Sequence, residues 1–399
     1  MVFSNLCFYP PFIIKESIMT FIHTSDWHLG RQFHNVSLLA DQAAVLAQLV
    51  DYVRHHPVDA VIVAGDVYDR SVPPTAAIDL LNRVVTQICE ELHTPMIFIS
   101  GNHDGAQRLG FGAGQMKNAG LHIISNYTDM LKPVIIDSQT AGPVAFYGMP
   151  YSDPEQVRYH FDTRVDDFDK AHEFLVEKID EVEDPGSRRV LISHCFVDGA
   201  MESDSERPLS IGGSDRVSHA HFTHFDYVAL GHLHQPQKKG EEFIRYSGSL
   251  MKYSFSEQHQ KKGFTVVTLD DTGFVSATHE PLVAPHDMRI IEGQLETILE
   301  QGRTDPHHED YLLVRLTDTH AILNPMEKLR EVYPNVLHLE KPGMLVGVEQ
   351  DMAKARLARG EHDMFCDFYQ EVQGTALTDE QGEAVKQIIR QLNTSNNEQ

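Results

Sequence analysis

Residues 60–70 read AVIVAGDVYDR: five apolar, mostly β-branched residues run straight into a glycine and a carboxylate. Val and Ile suit a fully buried strand, and the glycine allows the chain to leave it sharply. Four other places repeat this passage from apolar run to polar loop. Phe21–Thr24 precedes Asp26-Trp27-His28, and Met96–Ser100 precedes Gly101-Asn102-His103-Asp104. Val190–Ser193 runs into His194, and Tyr227–Leu230 into Gly231-His232-Leu233-His234. In an α/β sheet, loops beyond the carboxyl ends of strands converge on one crevice.

Between these strands lie helical patterns, at Leu39–Arg54 and Pro74–Leu92, so the first part of the chain reads as a layered α/β domain. Past Asp129 the pattern becomes hairpin-like, at Val134–Ile136 and Val144–Gly148, and an acidic helix follows over Asp166–Val182. Phe243–Tyr246, Phe264–Leu269 and Val275–His279 are expected to complete a second sheet with Val190–Ser193 and Tyr227–Leu230. The chain leaves this domain near Ala284–His286. A small α/β module follows, with strands at Met288–Glu292, Tyr311–Leu316 and Val336–Leu339 and helices at Gln294–Glu300 and Pro325–Val332. From Glu349 the pattern is helical and ends in the amphipathic Asp379–Leu392. The expected domains are thus 19–284, 285–345 and 346–399. Residues 1–18 read as an unstructured or upstream-translated extension, because Met19 directly precedes the first strand and Pro10-Pro11 interrupts the apolar stretch.

Composition narrows the function. No apolar run suggests a membrane span, and Cys7, Cys89, Cys195 and Cys366 form no CxxC pair, so a disulfide framework or structural zinc site is not expected and a cytoplasmic setting is. A net charge of −25 opposes simple nucleic-acid binding, unless bound cations or a basic partner supply positive charge at the phosphate. No GxxxxGK[ST] loop is present, so any ATP dependence would come from another chain.

The five polar blocks carry the chemistry. Residues two apart on an extended segment point the same way, so Asp26 and His28 can reach one ion, and His232 and His234 likewise. Mixed carboxylate, amide and imidazole donors suit Mn, Fe or Zn better than Mg. Asp66 is the best candidate for a carboxylate shared by two ions. Tyr68 and Asp69 read as supports of the site, and Arg31 as either a phosphate contact or a partner for a surface carboxylate. His219, His221 and His224 read as a solvated loop, His23 as a satisfied core residue, and Cys195 as a buried thiol.

The pattern DxH, GDxxD, GNHD, isolated His and GHxH resembles that of the calcineurin-like metallophosphoesterases. The longer stretches SDWHLG at 25–30, GDVYDRSVPP at 65–74, GGSD at 212–215, ALGHLHQPQ at 229–237 and YSGSLMKYSFSE at 246–257 resemble the DNA-repair nucleases of that family, essentially over residues 19–399. The resemblance implies a four-layered α/β/β/α sandwich with a small α/β capping domain that helps grip DNA. It implies that Asp26, His28, Asp66 and His234 bind one divalent ion, and that Asp66, Asn102, His194 and His232 bind another, manganese being expected. His103 would contact the scissile phosphate or protonate the leaving oxygen, oriented by Asp104. The implied activity is endonucleolytic cleavage of DNA hairpins and exonucleolytic degradation of double-stranded ends. The implied setting is a homodimer bound through its helical tail to two coiled-coil ATPase subunits, acting on the nucleoid in replication, recombination and repair. The alternative is a phosphatase or small-molecule phosphodiesterase on the same scaffold. GDVYDR is similar to the GDxxDRG of serine/threonine phosphatases, but Ser71 replaces the glycine and Asp104 stands where those enzymes carry Glu.

Overall fold

The computed structural model describes residues 18–138, 142–182, 188–207, 209, 215–320, 322–341, 365–366, 369 and 377–395. The expectation for 1–18 falls almost wholly outside them, as does most of the tail from Glu349. Backbone proximity divides the chain into two compact units. One runs through Arg289 and takes back Glu309–Tyr311, and the other holds Ile290–His308 and the described residues from Leu312 on.

The first unit is built on two six-stranded sheets. In chain order its strands are β1 (Met19–Thr24), β2 (Ala60–Ala64), β3 (Met96–Ile99), β4 (Leu121–Ile124), β5 (Val134–Ser138), β6 (Gly142–Met149), β7 (Arg188–His194), β8 (Tyr227–Gly231), β9 (Gln237–Lys239), β10 (Glu241–Tyr246), β11 (Gly263–Asp270) and β12 (Gly273–Pro281). The first sheet has the order β12-β11-β1-β2-β3-β4, and the second β9-β10-β8-β7-β6-β5. Strands β1 to β4 run parallel, as do β6, β7, β8 and β10. Each sheet has antiparallel margins: β11 and β12 on the first, β5 and β9 on the second. The short strand β9 pairs irregularly, with a register shift between Lys238 and Lys239.

Here one expectation is corrected. Phe264–Leu269 and Val275–His279 form strands, but they join the first sheet, beside β1, not the second. Sheet membership follows from the long-range pairing Met19↔Leu269 to His23↔Thr265, and a strand's own residues carry no mark of its partner. The helical reading of Pro74–Leu92 also divides, into an α-helix over Thr75–Val85 and a π turn over Thr86–Glu91. The ladder widens there, Leu92 N–H reaching Gln87 C=O at 3.0 Å.

Alternation along β1 shows how the strands serve two cores. Phe21 packs in one cluster with Ile62, Ile97, Phe146 and Tyr227, residues of both sheets. Ile22 faces another, with Val61, Val63 and the apolar stripe of helix α1 (Leu39–His55), namely Val45, Leu46, Leu49 and Val53. Spacing of three and four places that stripe on one helical face. Phe21 meets Phe146 and Tyr227 edge-on, at centroid separations of 5.4 and 5.6 Å. Such pairs stabilise by about 0.5–1.5 kcal/mol each beyond burial itself. Helix α2 (Thr75–Val85) adds Ala77, Leu80 and Val84 to the second cluster. Beyond α3 (Pro154–Phe161), helix α4 (Phe168–Asp180) adds Ala171, Leu175 and Ile179 to the first. Its start is fixed by the Asp167 carboxylate, which accepts from Lys170 N–H at 2.8 Å.

The second unit is small. Strands β13 (Met288–Gly293), β14 (Tyr311–Leu316) and β15 (Val336–Glu340) form one sheet in that order. With α5 (Leu295–Gly302) and α6 (Pro325–Arg330) they enclose a core of Leu295, Ile298, Leu312, Val314, Leu316, Leu329, Tyr333 and Val336. Helix α7 (Asp379–Ser395) lies in the tail. Among the described residues no helix is long and apolar enough to cross a membrane.

Candidate metal centre

The five polar blocks all sit where β1, β2, β3, β7 and β8 end, and the loops are tied to one another by their backbones. Asp26 N–H donates to Gly65 C=O at 3.1 Å, and His28 N–H to Asp66 C=O at 2.9 Å. The Asp104 carboxylate accepts from three backbone amides, Val67 at 3.1 Å, Tyr68 at 2.9 Å and Gly101 at 2.9 Å, so it pins the loop after β2 onto the loop after β3. His232 N–H donates to the Asp26 carboxylate at 3.1 Å and so links the two sheets. Asp26, His28, Asp66 and His232 all have positive φ, at 53°, 44°, 50° and 100°. For non-glycine residues this is strained backbone, which persists where surrounding contacts impose it and clusters at functional sites.

Two glycines set how closely the sheets approach. Gly65 has φ +87°, and a Cβ there would lie 2.3 Å from His194 Nδ1. A Cβ on Gly231 would lie 1.8 Å from the Ala64 carbonyl oxygen. Only glycine allows such contact.

Donor atoms converge on Asp66. Its Oδ2 is 3.6 Å from His28 Nε2 and 3.5 Å from His194 Nε2. His28 Nε2 faces His234 Nε2 at 3.1 Å, and His194 Nε2 faces Asn102 Oδ1 at 2.9 Å. The ring of His232 lies 5.4 Å from that of His194. Three overlapping groups meet closely enough to hold ions: Asp26, His28 and His234; Asp26, Asp66 and His194; and His28, Asp69 and His103. The donor chemistry fits divalent cations. His194 Nδ1 faces the Ala64 carbonyl at 2.9 Å. A carbonyl only accepts, so Nδ1 carries a proton and Nε2 is the nitrogen turned toward Asp66 and Asn102, the atom that would give up its proton to a cation. Two imidazole nitrogens head to head beside an acid are electron-rich atoms short of protons, and that is the environment a cation relieves.

Protein groups alone leave charge in conflict here. Burial would raise the Asp66 carboxyl, but the His194 imidazole holds it well below the usual range. Burial in turn would lower His194, yet Asp66 lifts it. Burial raises Asp26 and pushes His28 and His232 well down.

His103 differs from the sequence expectation in how it is held. Its Nδ1 donates to the Asp69 carbonyl at 2.8 Å and its N–H to Asp66 Oδ1 at 2.8 Å. Asp104 is fully engaged by backbone amides, so it orders the loop that carries His103 while the Asp69 carbonyl orients the ring. Asp69 also lies 3.8 Å from His28 Nδ1 and 3.4 Å from Arg31 Nη1. Arg31 donates to the Ser205 carbonyl at 3.1 Å and lies over the Tyr253 ring. Arg31, Asp69, His103, Ser205, Glu206 and Arg207 line a hollow of about 310 Å³ beside the donor cluster.

Sequence reasoning gave no role to a further group. Glu257 is completely buried and bonds Ser205 Oγ, which in turn bonds His234 Nδ1. Lys262, also buried, pairs with Glu257 at 2.6 Å and donates to the His234 carbonyl at 2.7 Å. The Glu206 carboxylate accepts from His234 N–H at 2.8 Å. Only the acid at the end of YSFSE, following a β-rich run, hints at this in the sequence. His23 is a satisfied core residue, its ring nitrogens 2.9 Å from Tyr227 OH and 3.1 Å from the Leu230 carbonyl. Burial pushes the Cys195 thiol up to about 12, which removes it as a nucleophile. His221 and His224 pair with Asp169 and Asp180, at 2.8 and 3.2 Å, outside the crevice.

Comparison with known proteins gives the family. The model of the calcineurin-like phosphoesterases matches residues 19–236. That of the type 5 capsule protein repressor C-terminal domain matches 284–373. The SbcD subunit of the nuclease SbcCD from Staphylococcus epidermidis is 32% identical over 373 residues, covering 93% of this chain and 98% of that protein. Its namesake in Staphylococcus saprophyticus is 34% identical over 376 residues, covering 94% and 98%. The chain belongs to the SbcD nucleases, within the calcineurin-like metallophosphoesterases. A solved structure from Thermus thermophilus covers 66% of the chain at 13% identity, with a TM-score of 0.38. Membership of the SbcD family gives the donor cluster its chemical context, since a metallophosphoesterase domain spans all of the residues that converge on Asp66.

Proposed function

We propose that this chain is the nuclease subunit of an SbcCD-like complex, a phosphodiester hydrolase that works with two divalent ions, manganese foremost and Mg, Fe or Zn as alternatives. One observation carries the reading: the buried Asp66 carboxylate lies between His28 and His194, 3.6 and 3.5 Å from their Nε2 atoms. Asp26, His28, Asp66 and His234 would hold one ion, and Asp66, Asn102, His194 and His232 the other. Such a pair, when bound, acidifies a water and neutralises charge on the phosphate oxygens. The chain's own residues supply the rest. Asp66, bonded to the His103 amide, sets where the imidazole stands relative to the donors. With Nδ1 given to the Asp69 carbonyl, His103 presents Nε2 toward the crevice to contact the phosphate or pass a proton to the leaving oxygen. Asp104 holds that loop in register. Behind the imidazoles, the buried Glu257–Lys262 pair keeps His234 facing inward.

The relatives' name, SbcCD, supports a complex with an SbcC-like coiled-coil ATPase and DNA as substrate. On this reading, ATP is used by the partner, hairpins are cut endonucleolytically, and duplex ends are degraded exonucleolytically in replication, recombination and repair. The assembly would be a dimer of this chain with two ATPase subunits, in the cytoplasm and on the nucleoid. Residues 19–284 would be the nuclease domain, 285–345 a cap that grips DNA, and 346–399 the tail that docks the ATPase. The exposed Ile388 on α7 supports docking of the tail. The test is cleavage of a hairpin-ended duplex in manganese, with and without the ATPase and ATP. Activity that His103→Ala leaves intact while metal stays bound would overturn the assignment.

A further inference from the structure

A cleft of about 540 Å³ begins at Gln235, the residue next to His234, and extends along β10, β11 and β12. Its walls hold Arg245, His259, Lys261 and His279 and no Asp or Glu. The chain as a whole carries 58 acids against 33 Lys and Arg, so an acid-free wall with four basic or imidazole side chains runs against the composition. Lys261 and His259 form no ion pair among the described residues. Arg245 pairs at one nitrogen with exposed Glu242, 3.3 Å away, a contact that water and salt screen. Deeper in, Gln260 Oε1 is buried without a hydrogen-bond partner, and the His279 ring beside it in the wall lies against the Lys261 and Lys262 backbone. Buried polar atoms are nearly always satisfied, so unsatisfied ones mark a place where something polar belongs.

Resting on the nuclease reading, we propose that this cleft binds a phosphate-bearing nucleotide unit next to the hydrolytic site. The occupant is either one nucleotide of the strand beyond the cleaved bond or a released mononucleotide. The volume accommodates a base and sugar as well as a phosphate, which inorganic phosphate alone would not fill. Lys261, His259 and Arg245 take the phosphate, and the His279 ring and Gln260 amide meet polar atoms of the base or sugar.

The test uses the full chain in EDTA, where binding is read without cleavage. A fluorescent oligothymidylate of about twelve nucleotides is titrated onto the parent and onto a Lys261→Gln/His259→Gln variant, whose changed residues are exposed. Lys117→Gln/Lys132→Gln, at a separate cleft of about 290 Å³, serves as control. We expect binding to weaken about tenfold in the first variant only, with a salt slope shallower by about 0.7 per lost phosphate contact. Displacement of the probe by deoxythymidine monophosphate assigns the cleft to released nucleotide, and displacement by oligonucleotide alone assigns it to the strand. Equal affinity of the first variant and the parent overturns the proposal. Hydrolysis of bis-p-nitrophenyl phosphate in manganese is followed in parallel and should be the same in both proteins. Should the parent hydrolyse neither that ester nor DNA, the nuclease reading fails on its own, whatever the cleft binds.

Discussion

The two sheets contribute differently to the crevice between them. Loops of the first supply every oxygen donor, Asp26, Asp66, Asp69 and Asn102, together with His28 and His103. Loops of the second supply imidazoles only, His194, His232 and His234. Strain is divided just as unevenly: Asp26, His28 and Asp66 have positive φ in the first sheet, against His232 alone in the second. The acid half is held by backbone amides, most of all those bonded to Asp104. The imidazole half leans instead on side chains, Ala64 C=O against His194 apart, through Ser205, Glu257 and Lys262. Neither half holds a complete donor set, so the site exists only while the sheets stay packed.

Breaking the acid half should have the largest effect. Asp66→Ala removes the group facing both His28 and His194, and we expect at least about a thousandfold loss of kcat, roughly 4 kcal/mol of barrier, on bis-p-nitrophenyl phosphate. A fall of less than tenfold would place the shared carboxylate elsewhere. Next comes the seam. Gly231→Ala puts a Cβ where the Ala64 carbonyl already sits, 1.8 Å away, and should lower stability by about 3 kcal/mol or more in urea titration. An unchanged urea midpoint would mean the sheets separate freely there. Removing metal with a chelator should lower Tm, since an ion at a hundred times its Kd adds about 2.7 kcal/mol. His194→Gln should shrink that difference.

Smaller effects test the imidazole half from behind. Glu257→Gln should weaken manganese affinity by about 10- to 100-fold in calorimetry while the donors remain in place. Unaltered affinity would reduce Glu257 to a fold-stabilising role. The smallest effect lies away from the site. Burial pushes His172 on α4 down to about 4, so between pH 6.5 and 4 the unfolded chain binds the extra proton. Stability from this group is complete above about 6.5 and is lost as pH falls. From pH 7 to 5.5 the loss is about 1 kcal/mol, and His172→Leu should flatten that part of the stability curve.

Much of this was legible in the sequence where chemistry and local pattern coincide. AVIVAGD announces a buried strand, a sharp exit and an acid in consecutive residues, and each of the five strand ends could be placed by the same logic. Pairing is not local, which is why β11 and β12 were expected in the other sheet. Leu121–Ile124 is too short to stand out, and it became a strand because β3 offered its edge. In the site, the donors were visible as residue types, but their supports were not. That the Asp69 carbonyl, and not the Asp104 carboxylate, orients His103 depends on a main-chain atom every residue possesses. Glu257 meets His234 both through Ser205 and directly, 3.5 Å from its Nδ1, and no spacing rule links positions 205, 234 and 257.

The short strand β9 has a consequence for how the molecule behaves in a crowd. A sheet margin with regular unpaired amides is a template on which another chain can anneal. This margin is three residues long and breaks register between Lys238 and Lys239. Copies of the protein approaching along that side meet a short, interrupted ladder, which disfavours aggregation by edge-to-edge stacking.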